Sequence, residues 1–136
     1  MKRVLVLCTG NSCRSIMAEA LINALAEGRY QAVSAGSNPT GEIHEKSFQT
    51  LRRHGLTVDG FYSKSWDVFE GQHFDYVITV CDSAAAETCP LFKGNYSKLH
   101  WSIPDPAKAT GDDEAICTAF TDAFYLIKQR IQAELL

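Results

Sequence analysis

No apolar run in this sequence approaches the roughly 20 residues that a helix needs to cross a bilayer. The first apolar stretch, Val4-Leu5-Val6-Leu7, is also too short for the hydrophobic region of a secretion signal, so a cytoplasmic protein is expected, with no membrane contact. Basic residues are not in excess. The formal net charge is -3 and no basic stripe is interleaved with aromatics, which argues against nucleic acid as a partner. This balance leaves a small anionic substrate open, because an anion site is a local arrangement. Neither a repeat nor a low-complexity tract divides the chain. Its 136 residues fit one domain, 1–136, expected to be monomeric and able to fold without a metal or disulfide staple. There is no tight Cys-x2-Cys pair, and His44, His54, His73 and His100 lack ligand spacing, so a zinc site is not expected.

What is present points to sulfur chemistry. The five cysteines, Cys8, Cys13, Cys81, Cys89 and Cys117, are an odd number. In a compartment that keeps thiols reduced they read as reactive or buried thiols rather than a disulfide framework. Val4 to Leu7 reads as a buried parallel strand ending at Cys8. A helical stripe follows, Met17, Ala20, Leu21, Ala24 and Leu25, closed by Gly28. Gln31 to Ala35 reads as a second strand, and Glu42 to His54 as a helix with Phe48 and Leu51 inward and Gly55 closing it. Tyr76 to Val80 is another buried strand, ending at Cys81, and Leu99 to Ile103 a shorter one before Pro104-Asp105-Pro106. Ile116, Phe120, Phe124, Ile127, Ile131 and Leu135 recur at helical spacing, so a long amphipathic last helix is expected. Asp112 and Asp113 belong at its start and Cys117 in its core. Alternating elements with right-handed crossovers imply an α/β fold: a small, doubly wound, four-stranded parallel sheet with helices on both faces. Ligands of such sheets bind beyond the carboxyl ends of the strands, which puts Cys8, Cys81 and Asp105 on one rim.

The central motif is Cys8-Thr9-Gly10-Asn11-Ser12-Cys13-Arg14-Ser15, between a strand and a helix. A loop that curls there points successive backbone N–H groups into one concavity, and the helix N-terminus adds to its preference for an anion. Gly10 and Asn11 tolerate the positive φ that the curl needs. Arg14 brings a planar fork for two oxygens of a tetrahedral oxyanion, and the same positive surroundings favour a Cys8 thiolate, to which Ser15 can donate. A bare Cys-x5-Arg match is weak, and a buried cysteine followed by a chance arginine competes with it. The strand-loop-helix setting decides for the functional reading. Cys13 reads as a small hydrophobe turned to the core. Asp105, stiffened by Pro104 and Pro106, is the candidate acid for the departing oxygen, and a plain Asp-Pro turn is the alternative.

Cys81 ends a strand on the same rim, and Cys89-Pro90 lies eight positions on, beyond an Ala-rich stretch. If that stretch is helical, a bond between the two sulfurs requires it to unwind. A hydrolase has no use for the pair, whereas three thiols can pass a disulfide outward during a two-electron reduction. Two unrelated buried cysteines are the competing reading.

Taken together, Cys8 to Ser15 running into Met17-Ala18-Glu19, then Ser34-Ala35-Gly36, Cys81, Cys89-Pro90 and Asp105-Pro106-Ala107 resemble the arsenate reductases of the low-molecular-weight protein tyrosine phosphatase superfamily, over nearly the whole chain. The resemblance implies that arsenate, with phosphate or sulfate as competing anions, is bound by Thr9, Gly10, Asn11, Ser12, Cys13, Arg14 and Ser15. It also implies attack by Cys8, proton donation by Asp105, and a relay through a Cys8–Cys81 and then a Cys81–Cys89 disulfide. No tightly bound cofactor is implied. The reductant is an external thiol, with thioredoxin the partner of the better-known branch and glutaredoxin or glutathione chemically able. Potassium binds beside the loop in some relatives, at positions matching Asn11, Glu19 and Ser34. Two further readings stand beside this one: a phosphatase that hydrolyses phosphate monoesters through a phosphocysteine, and a phosphocysteine carrier or oxyanion-binding module.

Overall fold

The computed structural model describes residues 1–80 and 95–136. Four parallel strands, β1 (Lys2–Leu7), β2 (Tyr30–Ala35), β3 (Tyr76–Thr79) and β4 (Ser97–His100), form one sheet in the order β2-β1-β3-β4. The helices are α1 (Arg14–Leu25), α2 (Glu45–Arg53) and α3 (Asp113–Glu134). This is the α/β parallel sheet that the alternation of elements predicts. β1 is paired on both edges and covered by a hydrophobic core on each face, so Val4, Leu5, Val6 and Leu7 are fully buried. That is why this strand reads as an unbroken apolar run.

Alternation along β1 feeds two cores. Val4 and Val6 pack with Ile16, Met17 and Ile22 of α1 and with Phe120, Phe124, Ile127 and Ile131 of α3. Leu5 and Leu7 meet Phe69, Phe74 and Val77 on the opposite face, beside the 3-10 turn Trp66–Phe69. The apolar stripe of the last helix is borne out, with Ile116 partly buried at its edge. Asp112 caps that helix by accepting from the Ala115 N–H at 2.8 Å. No helix among the described residues is long and apolar enough to cross a membrane.

Several boundaries differ from the sequence reading. In α1 the stripe stops early: Ala24 and Leu25 are exposed, while Ile16, Ala18 and Ile22 join the core. α2 begins at Glu45, not Glu42, because His44 takes the capping position. Its inward residues are Ser47, Thr50 and Leu51, whereas Phe48 is only half-buried, with the Arg52 guanidinium over its ring. β4 is Ser97–His100 rather than Leu99–Ile103. Trp101, fully buried, donates the last ladder bond, to the Thr79 carbonyl at 2.8 Å. Cys117 is not core; it is half-buried between α2 and α3, its sulfur 3.4 Å from Lys46 Nζ.

Gly36 follows β2 where the chain passes closest to the Cys8 loop. A Cβ there would lie 2.4 Å from the Thr9 carbonyl oxygen and 2.7 Å from that of Cys8. Its own N–H and C=O are both engaged, with Lys64 and Trp66, so the backbone has little freedom to retreat. Gly36→Ala is therefore expected to lose about 1–3 kcal/mol of stability in urea denaturation, from overpacking alone. A midpoint equal to that of the unsubstituted chain would show that the loop yields.

Candidate active site

The loop between β1 and α1 turns its carbonyls outward. Asn38 N–H donates to the Thr9 carbonyl (2.9 Å), Thr40 N–H to Gly10 (3.1 Å), His44 N–H to Ser12 (3.2 Å) and Met17 N–H to Cys13 (3.0 Å). Ser47 Oγ adds a second donor to the Ser12 carbonyl at 3.0 Å. With the acceptors tied outside, the N–H groups of Gly10, Asn11, Ser12, Cys13 and Arg14 find no acceptor among the described residues. Buried amides are rarely left so. A row of them at a helix N-terminus is an anion cradle.

Asn11 holds the curl. It is fully buried at φ +47°, the one positive φ outside glycine among the described residues. Gly10, expected to share that role, has an ordinary φ. Asn11 Nδ2 donates to Ser15 Oγ (2.9 Å) and Ser34 Oγ (3.0 Å), and its Oδ1 accepts the Lys64 N–H at 2.9 Å. That last bond fixes which end of the amide is oxygen. Ser34 Oγ in turn donates to Glu19 Oε1 at 2.6 Å. Burial pushes the Glu19 carboxyl above its usual range, while the Ser34 hydrogen bond and the Lys64 ammonium oppose this. Burial likewise lowers Lys64, and Glu19 partly restores it. Asn11, Glu19 and Ser34 thus come together as the sequence suggests, but Asn11 turns N–H groups rather than its oxygen toward Ser34, and Lys64 already answers the carboxylate. This donor set does not suit a bare cation.

Arg14 opens α1 and reaches across the rim. Its Nη1 donates to the Ile103 carbonyl at 2.8 Å and its Nη2 lies 3.6 Å from Asp105 Oδ2, while Nε is buried without a partner among the described residues. Asp105 caps the 3-10 turn Pro106–Lys108 through Oδ1, which accepts the Ala107 N–H at 3.0 Å, leaving Oδ2 toward Arg14. Cys8, Asn11, Ser12, Cys13, Arg14 and Asp105 border one pocket of about 250 Å³, together with Gly10, Thr40, His44 and Ala107.

Cys13 is buried, as expected of a small hydrophobe, yet it also borders the pocket. Burial pushes its thiol up, against hydrogen bonds with Ser47 and Ser12. Ser15 Oγ accepts from Asn11 Nδ2 at 2.9 Å. Cys81 and Cys89 lie outside the described residues; the last residue before them, Val80, donates to the Leu7 carbonyl at 3.0 Å, level with the strand that delivers Cys8. His44, Thr40 and Lys64 were missed in the sequence, because they arrive from loops whose path a periodicity cannot report; Ala107 was legible there within Asp105-Pro106-Ala107.

Asn11→Ala removes three hydrogen bonds and leaves a non-glycine residue at positive φ. It is expected to lose about 2–4 kcal/mol in denaturation and to weaken phosphate binding, measured on the same preparation. A second expectation concerns pH. The unfolded chain gives up the Glu19 proton first, so the carboxyl's contribution is full below its ordinary pKa, about 4.3, and is lost as pH climbs through the raised folded value. Glu19→Gln keeps an acceptor for Ser34 without that titration. Stability of the native chain should therefore fall relative to the glutamine variant as pH rises above about 4.3, and parallel curves would refute the buried-carboxyl account.

A family model for the low molecular weight phosphotyrosine protein phosphatase matches residues 3–135. An arsenate reductase of Halalkalibacterium halodurans is 34% identical over 131 residues, covering 96% of this chain and 93% of the relative. An arsenate reductase structure from Archaeoglobus fulgidus superposes with a TM-score of 0.71 at 27% identity, covering 95% of this chain and 98% of that one. A thioredoxin-dependent arsenate reductase of Corynebacterium glutamicum superposes with a TM-score of 0.71 at 27% identity, over 98% of this chain and 61% of that one. With a parallel sheet, an amide-lined loop between strand and helix, and a match along nearly its full length, the chain belongs to the low molecular weight phosphotyrosine protein phosphatase family.

Proposed function

We propose that the chain is a cytoplasmic enzyme that reduces arsenate to arsenite. The observation that carries this is the cradle itself: five loop amides without acceptors and a buried Arg14 Nε without a partner among the described residues, beside Asp105. In this reading the amides and Arg14 hold a tetrahedral oxyanion in line with Cys8. The Cys8 thiolate attacks arsenic, and an oxygen departs as water after taking a proton from Asp105. Cys81 then attacks the Cys8 sulfur. A Cys8–Cys81 disulfide forms, the electron pair of the broken S–As bond stays on arsenic, and arsenite leaves. Attack by Cys89 on Cys81 frees Cys8, and an external dithiol reduces the Cys81–Cys89 bond. Thioredoxin is the reductant this reading favours, in line with the name of the Corynebacterium glutamicum relative; glutaredoxin and glutathione are alternatives.

A phosphatase reading uses the same cradle, and phosphate esters would meet the same nucleophile and acid. Two things favour the reductase. The Halalkalibacterium halodurans relative, matched over 93% of its length, is an arsenate reductase. Ala107, a small side chain, stands on the acid's side of the pocket, where an aryl ester would profit from an aromatic platform. A carrier needs neither the Arg14 grip nor an acid.

Potassium is not written into these steps. The Asn11–Ser34–Glu19 chain is internally bonded and Lys64 supplies the counter-charge, so we infer that exchanging potassium for sodium leaves turnover unchanged.

Cys81→Ser is expected to abolish multiple-turnover arsenate reduction while leaving slow hydrolysis of an aryl phosphate intact. Mass mapping of cysteine pairs after a single turnover should show a Cys8–Cys81 or Cys81–Cys89 bond in the unsubstituted chain. Arsenate reduction that survives the serine substitution would end the relay.

A further inference from the structure

His44 stands at the cradle but has no part in the steps above. It caps α2 in an uncommon way, with a ring nitrogen: Nδ1 accepts the Lys46 N–H at 3.1 Å. An accepting Nδ1 carries a lone pair, so the proton of the neutral imidazole is on Nε2. The His44 backbone N–H is tied to the loop itself, reaching the Ser12 carbonyl at 3.2 Å and Ser12 Oγ at 3.1 Å. The ring lies 4.9 Å from the fully buried Phe120 ring, tilted by 40°. Cap, loop and aromatic contact together leave the half-buried ring little freedom. It borders the same pocket as Cys8, Arg14 and Asp105, and its Nε2–H has no partner among the described residues. A capping residue needs one acceptor atom, which Asn, Asp or Ser supplies without a ring. The second nitrogen is therefore in excess of the structural role.

We propose that His44 is a specificity-determining residue, whose Nε2–H hydrogen-bonds the oxygen of a tetrahedral oxyanion that lies outside the amide loop. The inference rests on the oxyanion placement given under the proposed function, and it adds the class of substrate preferred. In a free inorganic oxyanion that outer oxygen is a hydroxyl or oxide, a good acceptor. In a phosphate or arsenate ester it is the bridging oxygen, a poor acceptor with an organic group attached. A fixed donor at that position thus binds free oxyanions more tightly and gives nothing to esters. Discrimination by a site-bound hydrogen bond is the kind that apolar pockets do not achieve.

The test needs neither turnover nor a reductant. Binding is read from protection of Cys8 against iodoacetamide, by inorganic phosphate and, separately, by phenylphosphonate, whose phenyl group stands in for the ester arm. His44→Asn keeps a capping acceptor and removes the ring donor; His44→Ala removes both. Expected for His44→Asn is a melting temperature near that of the unsubstituted chain and a Kd for phosphate about tenfold higher, the loss typical of one hydrogen bond to a charged group. Phenylphosphonate should change less than twofold. His44→Ala should show the same loss of selectivity together with a lower melting temperature. Equal shifts for both ligands, or no shift in His44→Asn, would reduce His44 to a cap and overturn the proposal. Arsenate turnover by the unsubstituted chain is measured alongside: its absence, with the phosphate selectivity present, would sink the reductase reading and still support the His44 donor.

Discussion

The carbonyl groups of Thr9, Gly10, Ser12 and Cys13 all take donors from outside the curl, which leaves the N–H groups of the Cys8 loop free to converge. Three separate segments meet that demand. Asn38 and Thr40 from the chain after β2, His44 and Ser47 from the start of α2, and Met17 within α1 donate outward-facing bonds. The loop is therefore held open by its surroundings rather than by its own hydrogen bonds. An anion would complete this set of backbone donors, which ties the fold and the chemistry to one requirement.

Beneath the loop, Asn11 converts that requirement into a rigid geometry. It accepts a strained backbone angle, and its amide joins Ser15, Ser34 and the Lys64 backbone, so one side chain ties α1, β2 and the segment ahead of Trp66. Glu19 and Lys64 lie behind this knot, each penalised by burial and each partly relieved by the other. A buried pair of this kind contributes little net stability, but leaving either charge alone would be expensive. Its effect is to keep one arrangement of Asn11 and Ser34.

Across the rim, Arg14 does two jobs with one guanidinium. Two of its nitrogens are engaged by the Ile103 carbonyl and the Asp105 carboxylate, which fixes the plane of the fork and leaves Nε for a ligand. Beyond Trp101, which makes the last bond to β3, the stretch to Asp105 brings the acid to the nucleophile's side of the pocket.

The sequence alone was enough for the elements whose identity depends on local pattern: β1 as an unbroken apolar run, α3 as a long stripe, the cysteine-to-arginine loop between strand and helix, and the Asp-Pro turn. These are legible because strands and helices have fixed periods and because phosphate-like anions demand a short, specific grammar of residues. Where α1 and α2 turn their faces, where β4 stops, and that Cys117 lies at an edge between helices were not legible, since burial depends on which elements meet. His44, Lys64 and Thr40 entered the site only through tertiary structure. Nothing in their neighbours' spacing marks them, because what matters is the path of a loop in space, set by hydrogen bonds formed between residues tens of positions apart.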